Sequence, residues 1–186
     1  TSSPVSTPNT VQANSLEQID SYDFTYEQGS LQISGQATND KMLFYLNNQK
    51  YYWHENVYLF EQGTFVKKEN FDLGILKINP QKLNNLLADI SYTEVSDYKQ
   101  YLVPLDRFFN LYEFDTEVDL TKAMSYNMMV RVYEKNNTIY KITLDLTNYM
   151  LLKTGSNSNE FLTIYYNNIN KGVNFEEYDQ MIGVVS

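Results

Sequence analysis

His54 is the only histidine in the chain, set in the run Tyr-Trp-His-Glu, and there is no cysteine. Zinc sites draw mainly on histidine nitrogen and cysteine sulfur, so one histidine alone leaves too few ligands. A serine triad needs a serine and a carboxylate placed around the histidine, and no Gly-x-Ser-x-Gly turn is present. His54 therefore reads as a residue on the surface of a strand. Two carboxylates at a fixed separation would suit glycoside hydrolysis. Asp115, Glu117 and Asp119 are close in sequence, as are Glu176, Glu177 and Asp179, but a formal charge of -9 makes acidic clusters expected from composition. Asp115 and Asp119 do not supply the Asp-x-Asp-x-Asp-Gly pattern of a calcium loop. The seven glycines are scattered singly, without a phosphate-cradling loop. The reading is a non-enzyme with no catalytic residue, no metal and no cofactor.

The elements that would carry a binding surface show in the hydrophobic pattern. Aromatic residues make up 15% of the chain, and 17 residues are tyrosine, which suits strands with the ring packed and the hydroxyl near water. Tyr22, Phe24 and Tyr26 share one face, and after Gln28-Gly29 so do Leu31 and Ile33, which predicts a hairpin. Lys41 to Leu46, Tyr51 to His54 and Val57 to Glu61 follow as short strands, broken at Asn47-Asn48, Glu55-Asn56 and Gly63. Gly35 marks a bulge or bend. Asn79 and Pro80 open a helix whose Leu83, Leu86, Leu87 and Ile90 form one apolar stripe. From Pro104 to Tyr112 the pattern fits either a second helix or an aromatic loop.

Strands then resume. Tyr126, Met128, Val130 and Val132 alternate with Asn127, Met129, Arg131 and Tyr133. The Asn136-Asn137 turn leads into Tyr140, Ile142, Leu144 and Leu146 on one face, with Lys141, Thr143 and Asp145 on the other. After a polar loop at Gly155 to Asn159, Phe161 to Tyr166 forms the last strand. Strands, a helix or two and further strands define an α+β domain with an antiparallel sheet and helices on one face. Residues 1–14, TSSPVSTPNTVQAN, read as a flexible Ser/Thr/Pro-rich tether, and residues 15–186 as a single domain. The acidic balance excludes a nucleic-acid partner, whose phosphates would be repelled. No apolar run approaches the ~20 residues of a membrane helix.

The order of these elements resembles the LolA/LppX-like surface lipoproteins of bacteria, in particular those exported by Firmicutes. The resemblance lies in the aromatic run KMLFYLNNQKYYWHENVYLFEQG, the helix INPQKLNNLLADI, the hairpin MMVRVYEKNNTIYKITLDLTNYM and the closing EFLTIYYNNIN. It covers residues 16 to 178 and rests on pattern, without an invariant motif. It implies a curved antiparallel half-barrel with one or two helices on its concave face and an apolar cavity between them. It also implies an extracellular location, anchored by an upstream lipid to the outer face of the cytoplasmic membrane of a Gram-positive bacterium. The short helical region here departs from the family and implies a small lid. On this reading the ligand is an acyl chain or a lipoprotein, lined by Phe44, Trp53, Leu83, Leu86, Leu87, Met128, Val130 and Ile142. The alternative is a protein-interaction module that regulates a cell-wall or envelope enzyme, as a spore-germination lipoprotein of this family does, meeting its envelope partner through an aromatic edge at Tyr52 and Tyr58.

Overall fold

The computed structural model describes residues 16–112 and 118–183, so the tether expected over residues 1–14 lies outside the described residues. The early hairpin forms as expected from β1 (Ser21–Gln28) and β2 (Leu31–Thr38). It is followed by β3 (Met42–Leu46), β4 (Gln49–His54) and β5 (Asn56–Glu61). Asn47 and Asn48 both take positive φ at the β3–β4 turn, as do Asn136 and Asn137 further on. Asparagine tolerates that region, so these pairs set hairpin turns. A sixth strand, β6 (Thr64–Lys67), follows the Gly63 turn and was not evident from its short, half-polar sequence.

Helix α1 (Pro80–Leu87) starts where the sequence placed it. Asn79 is extended, and its side chain accepts the Lys82 backbone N–H at 2.8 Å, with proline opening the first turn. The helix stops at Leu87, because Asp89 adopts positive φ, so Ile90 packs from the loop beyond it. Strands β7 (Tyr92–Val95) and β8 (Tyr98–Pro104) come next, then α2 (Leu105–Tyr112), which resolves the aromatic stretch as a helix. A short helix α3 (Leu120–Ala123) precedes β9 (Asn127–Lys135) and β10 (Thr138–Asp145). Helix α4 (Thr147–Thr154), β11 (Phe161–Asn167) and helix α5 (Glu176–Gln180) complete the described elements.

The strands form one eleven-stranded sheet in the order β6-β5-β4-β3-β2-β1-β11-β10-β9-β8-β7, with every neighbouring pair antiparallel. It is an open, curved half-barrel of the α+β class, with α1 and α2 in the main core on the concave side. In β10 the expected alternation fails at one end. The register with β9 shifts between Ile139 and Lys141, so Ile139 turns into the core and Tyr140 is 39% exposed. One extra residue at a bulge reverses the facing of everything on its far side.

At Gly35 there is no bulge, since pairing with β1 and β3 runs through it unbroken. The backbones instead approach so closely that a Cβ there would lie 1.9 Å from the Leu43 carbonyl oxygen. Gly35→Ala is expected to destabilise the protein by about 2 kcal/mol or more through this overpacking. For a chain of this length that lowers Tm by roughly 4–8 °C. A thermal melt within a degree of the parent would show that the strands can part without penalty.

Candidate ligand-binding site

The concave face is built from alternate residues of every central strand. Tyr22, Phe24 and Tyr26 of β1 lie beside Tyr166 and Ile164 of β11, and Phe44 of β3 stacks on Tyr51 of β4 at 5.1 Å. Across this surface runs the segment between β6 and α1, including a 3-10 turn at Gly74–Lys77. Two tyrosine hydroxyls clip it down: Tyr26 donates to the Ile78 carbonyl at 2.5 Å, and Tyr112 of α2 donates to the Gly74 carbonyl. Arg107 of α2 donates to the Ala88 and Asn85 carbonyls at 2.6 and 3.1 Å, satisfying the end of α1 and tying the two helices together. Burial raises the pKa of Tyr22, Tyr26, Tyr112 and Tyr166 above the usual phenol value, so these groups stay neutral donors.

All eight residues expected to line a ligand belong to the concave side or its rim. Phe44, Met128, Val130 and Ile142 are sealed within the core, and Leu87 is buried there as well. Leu83 and Leu86 line a dimple of about 10 Å³ between α1 and α2, together with Phe108 and Tyr112. Trp53, half-buried, lines a cleft of about 100 Å³ under the crossing segment with Tyr22, Met42, Leu73 and Leu76. In place of the apolar cavity that the family resemblance implies, the helix–sheet interface is closely packed with a small cleft at one end, in keeping with the short helical region. Tyr22 and Tyr166 hydroxyls are buried without a protein hydrogen-bond partner, a costly arrangement in an apolar core. Tyr22 is the one that borders the cleft.

On the convex side, the expectation of an exposed aromatic edge at Tyr52 is overturned. Tyr52 is fully buried, because the chain after β11 folds back over β3 to β6. Phe175, Tyr178, Met181 and Ile182 of this strap pack on Leu43, Tyr52 and Phe65. The strap then adds to the β6 edge: Phe65 N–H donates to the Met181 carbonyl at 2.9 Å and Gly183 N–H to the Phe65 carbonyl at 3.0 Å. Lys50 sits over the rings of both Phe60 and Tyr178, at 5.2 and 4.9 Å.

The polar anchor of the strap is Asp179. Its carboxylate accepts from Lys41 Nζ at 2.8 Å and Tyr52 Oη at 2.6 Å, and lies 2.9 Å from His54 Nδ1. His54 is therefore a strand residue in a buttress for the strap. The pairing spans 125 positions, so no local pattern signals it. Glu176 and Glu177 of the same acidic cluster are exposed. Of the other cluster, Asp115 and Glu117 lie outside the described residues, and Asp119 caps α3 through its bonds to the Thr121 and Lys122 N–H groups. Among the described residues no group of three or more metal-type ligands comes together.

Burial alone would raise the Asp179 pKa, but the hydrogen bonds from Lys41, Tyr52 and His54 outweigh it and hold the carboxyl at about 2, below the ordinary 3.8. A depressed carboxyl pKa contributes stability that is complete above the ordinary value and is lost as pH falls through the lowered one. Strap docking should hold above pH 4 and weaken towards pH 2. Asp179→Asn should lower stability at neutral pH by about 1–2 kcal/mol and flatten that acid limb. Urea melts of both proteins across this range, followed by tyrosine fluorescence, check it; parallel curves would remove Asp179 from the role of anchor.

No protein-family model matches the chain, and no curated protein matches it at a significant level. Among the solved structures that match is LprF from Mycobacterium bovis, with a TM-score of 0.52 and 9% sequence identity over 90% of this chain and 94% of LprF. At that identity the likeness is one of fold alone, and it supports the LolA-like half-barrel.

Proposed function

We propose that this is a non-catalytic binding domain that takes an apolar chain, of the lipid acyl class, beneath the segment crossing its concave face. The observation that carries the reading is the cleft under that segment, lined by Trp53, Met42, Leu73 and Leu76 beside the unpartnered hydroxyl of Tyr22. About 100 Å³ has room for roughly three water-sized groups, so only a chain end fits the closed form. Deeper entry lifts the segment and breaks the two tyrosine clips. Leaving those buried partners unsatisfied costs about 1–3 kcal/mol each. Burying methylenes returns ~0.8 kcal/mol apiece, so chains beyond about eight methylenes hold the open form. In this reading Trp53 meets the ligand first, and Phe44, Leu83, Leu86, Leu87, Met128, Val130 and Ile142 form the wall exposed by opening. The Ser/Thr/Pro-rich composition of residues 1–14 supports a role as spacer to an upstream lipid anchor at the outer face of the cytoplasmic membrane.

Trp53 is the only tryptophan, so it reports on its own cleft. Titration with cis-parinaric acid should give saturable energy transfer from Trp53, and native mass spectrometry of protein purified from cells should show bound acyl species. Tyr112→Phe, which releases one clip, should tighten binding by about tenfold. If neither the parent nor Tyr112→Phe shows saturable transfer, the concave face is a filled core and this proposal fails.

A further inference from the structure

The strap covers only the β3–β6 half of the convex face. Across the other half, cross-strand pairing sets Tyr98, Tyr133, Lys141 and Tyr165 in one row, continued by Thr25 and Ser34 to Tyr45. That row crosses seven strands, roughly 30 Å at ordinary strand spacing. Arg131 lies in the next row, with its guanidinium 4.7 Å from the Tyr98 ring centre, and Lys141 Nζ lies 4.1 Å from that of Tyr133. Tyr165 and Tyr45 are 37% and 45% exposed. Among the described residues neither Arg131 nor Lys141 forms an ion pair, in a chain of net charge -9. The carboxylates on this side are Glu27, at the far end of the Arg131 row, Asp23, which lies one row beyond Thr25 and accepts from the Asn168 amide at 2.6 Å, and Asp145, which is held by the N–H and hydroxyl of Thr147.

The covered half of the same face shows what such a surface receives. There, too, lysines stand among tyrosine and phenylalanine rings. Their occupant is the acidic, aromatic segment Phe175-Glu176-Glu177-Tyr178-Asp179, whose carboxylate meets Lys41 and whose ring meets Lys50. We infer that the bare half, centred on Tyr133, Arg131 and Lys141, docks an acidic, aromatic-bearing segment of a partner protein. Tyrosine and arginine are the side chains that dominate protein interfaces, and a cation already seated over a ring loses little freedom on pairing. This surface is independent of the concave cleft and of any ligand there.

The test uses the full chain and a fluorescein-labelled random copolymer of glutamate and tyrosine, read by anisotropy at about 0.15 M salt. The copolymer should bind at least about tenfold more tightly than polyglutamate. The double variant Arg131→Gln/Lys141→Gln and the single variant Tyr133→Ala should each weaken it about tenfold or more, whereas Tyr133→Phe should retain binding. Thermal melts confirm that these surface variants stay folded. Absence of binding overturns the inference, as does equal binding of polyglutamate, which would mean charge alone. Equal or tighter binding of heparin would point to a polyanionic glycan and also overturns it. If Lys41→Gln/Lys50→Gln abolishes binding while Arg131→Gln/Lys141→Gln does not, the copolymer has displaced the strap and the inference fails.

Discussion

The pairing of β1 with β11 is the contact on which the rest of the architecture depends. The first six strands form one meander and the last five another, and only this pair of neighbours joins them in the sheet. Six residue pairs, from Asp23 opposite Asn167 to Gln28 opposite Leu162, fix the register between segments about 140 positions apart. Because side chains alternate, that register decides that Tyr22, Phe24 and Tyr26 share a face with Leu162, Ile164 and Tyr166. A slip by one residue would turn the largest rings of the core to solvent. The same seam carries Tyr165 and Thr25 on the outer side, so both faces inherit their order from it.

The two faces solve different problems. On the concave side, most apolar area is buried by α1 and α2, and the crossing segment is held by few directed bonds, chiefly those of Tyr26 and Tyr112. Leu76 and Ile78 of that segment are buried in the main core, so these bonds act together with apolar packing. On the convex side the strap combines ring packing with a carboxylate that accepts from Lys41, just before β3, and from Tyr52 and His54 of β4. Each such charge-assisted bond is stronger than a neutral one, so the strap resists release at neutral pH. The inner face is thus held by apolar packing with two tyrosine clips, and the outer one by ring packing around a charged anchor.

Much of this was legible because it is periodic. The hairpins at Asn47-Asn48 and Asn136-Asn137, the Asn79-Pro80 start of α1 and the inward set Met128, Val130, Val132 all follow from local rules that tertiary contacts do not override. Strands β6, β7 and β8 were missed: the edge strands bury little and their sequences, TFVK and YTEV, are mostly polar or exposed, while β8, YKQYLVP, buries only Tyr101 and Val103. Helix α4 was missed because Leu146 supplies no side-chain cap and Tyr149, Met150, Leu151 and Leu152 continue the apolar run of β10. The phase error at Tyr140 came from a bulge, which leaves no residue signature there. Choosing the inner face was within reach, since the helix stripe and the strand faces must meet. The packing of that face, and the Asp179 buttress, depend on contacts far apart in sequence.

The bonding of Met181 and Gly183 to β6 bears on solubility as much as on shape. An open sheet has two rims with backbone donors and acceptors facing outwards, and unprotected rims recruit other chains. At the β7 rim the exposed Glu94, Ser96 and Asp97 discourage such recruitment by charge and solvation. At the β6 rim the strap instead occupies the outward N–H and carbonyl of Phe65. Proteolytic loss of the strap would therefore bare a rim and an oily outer surface together, opening the sheet to edge pairing with its own copies.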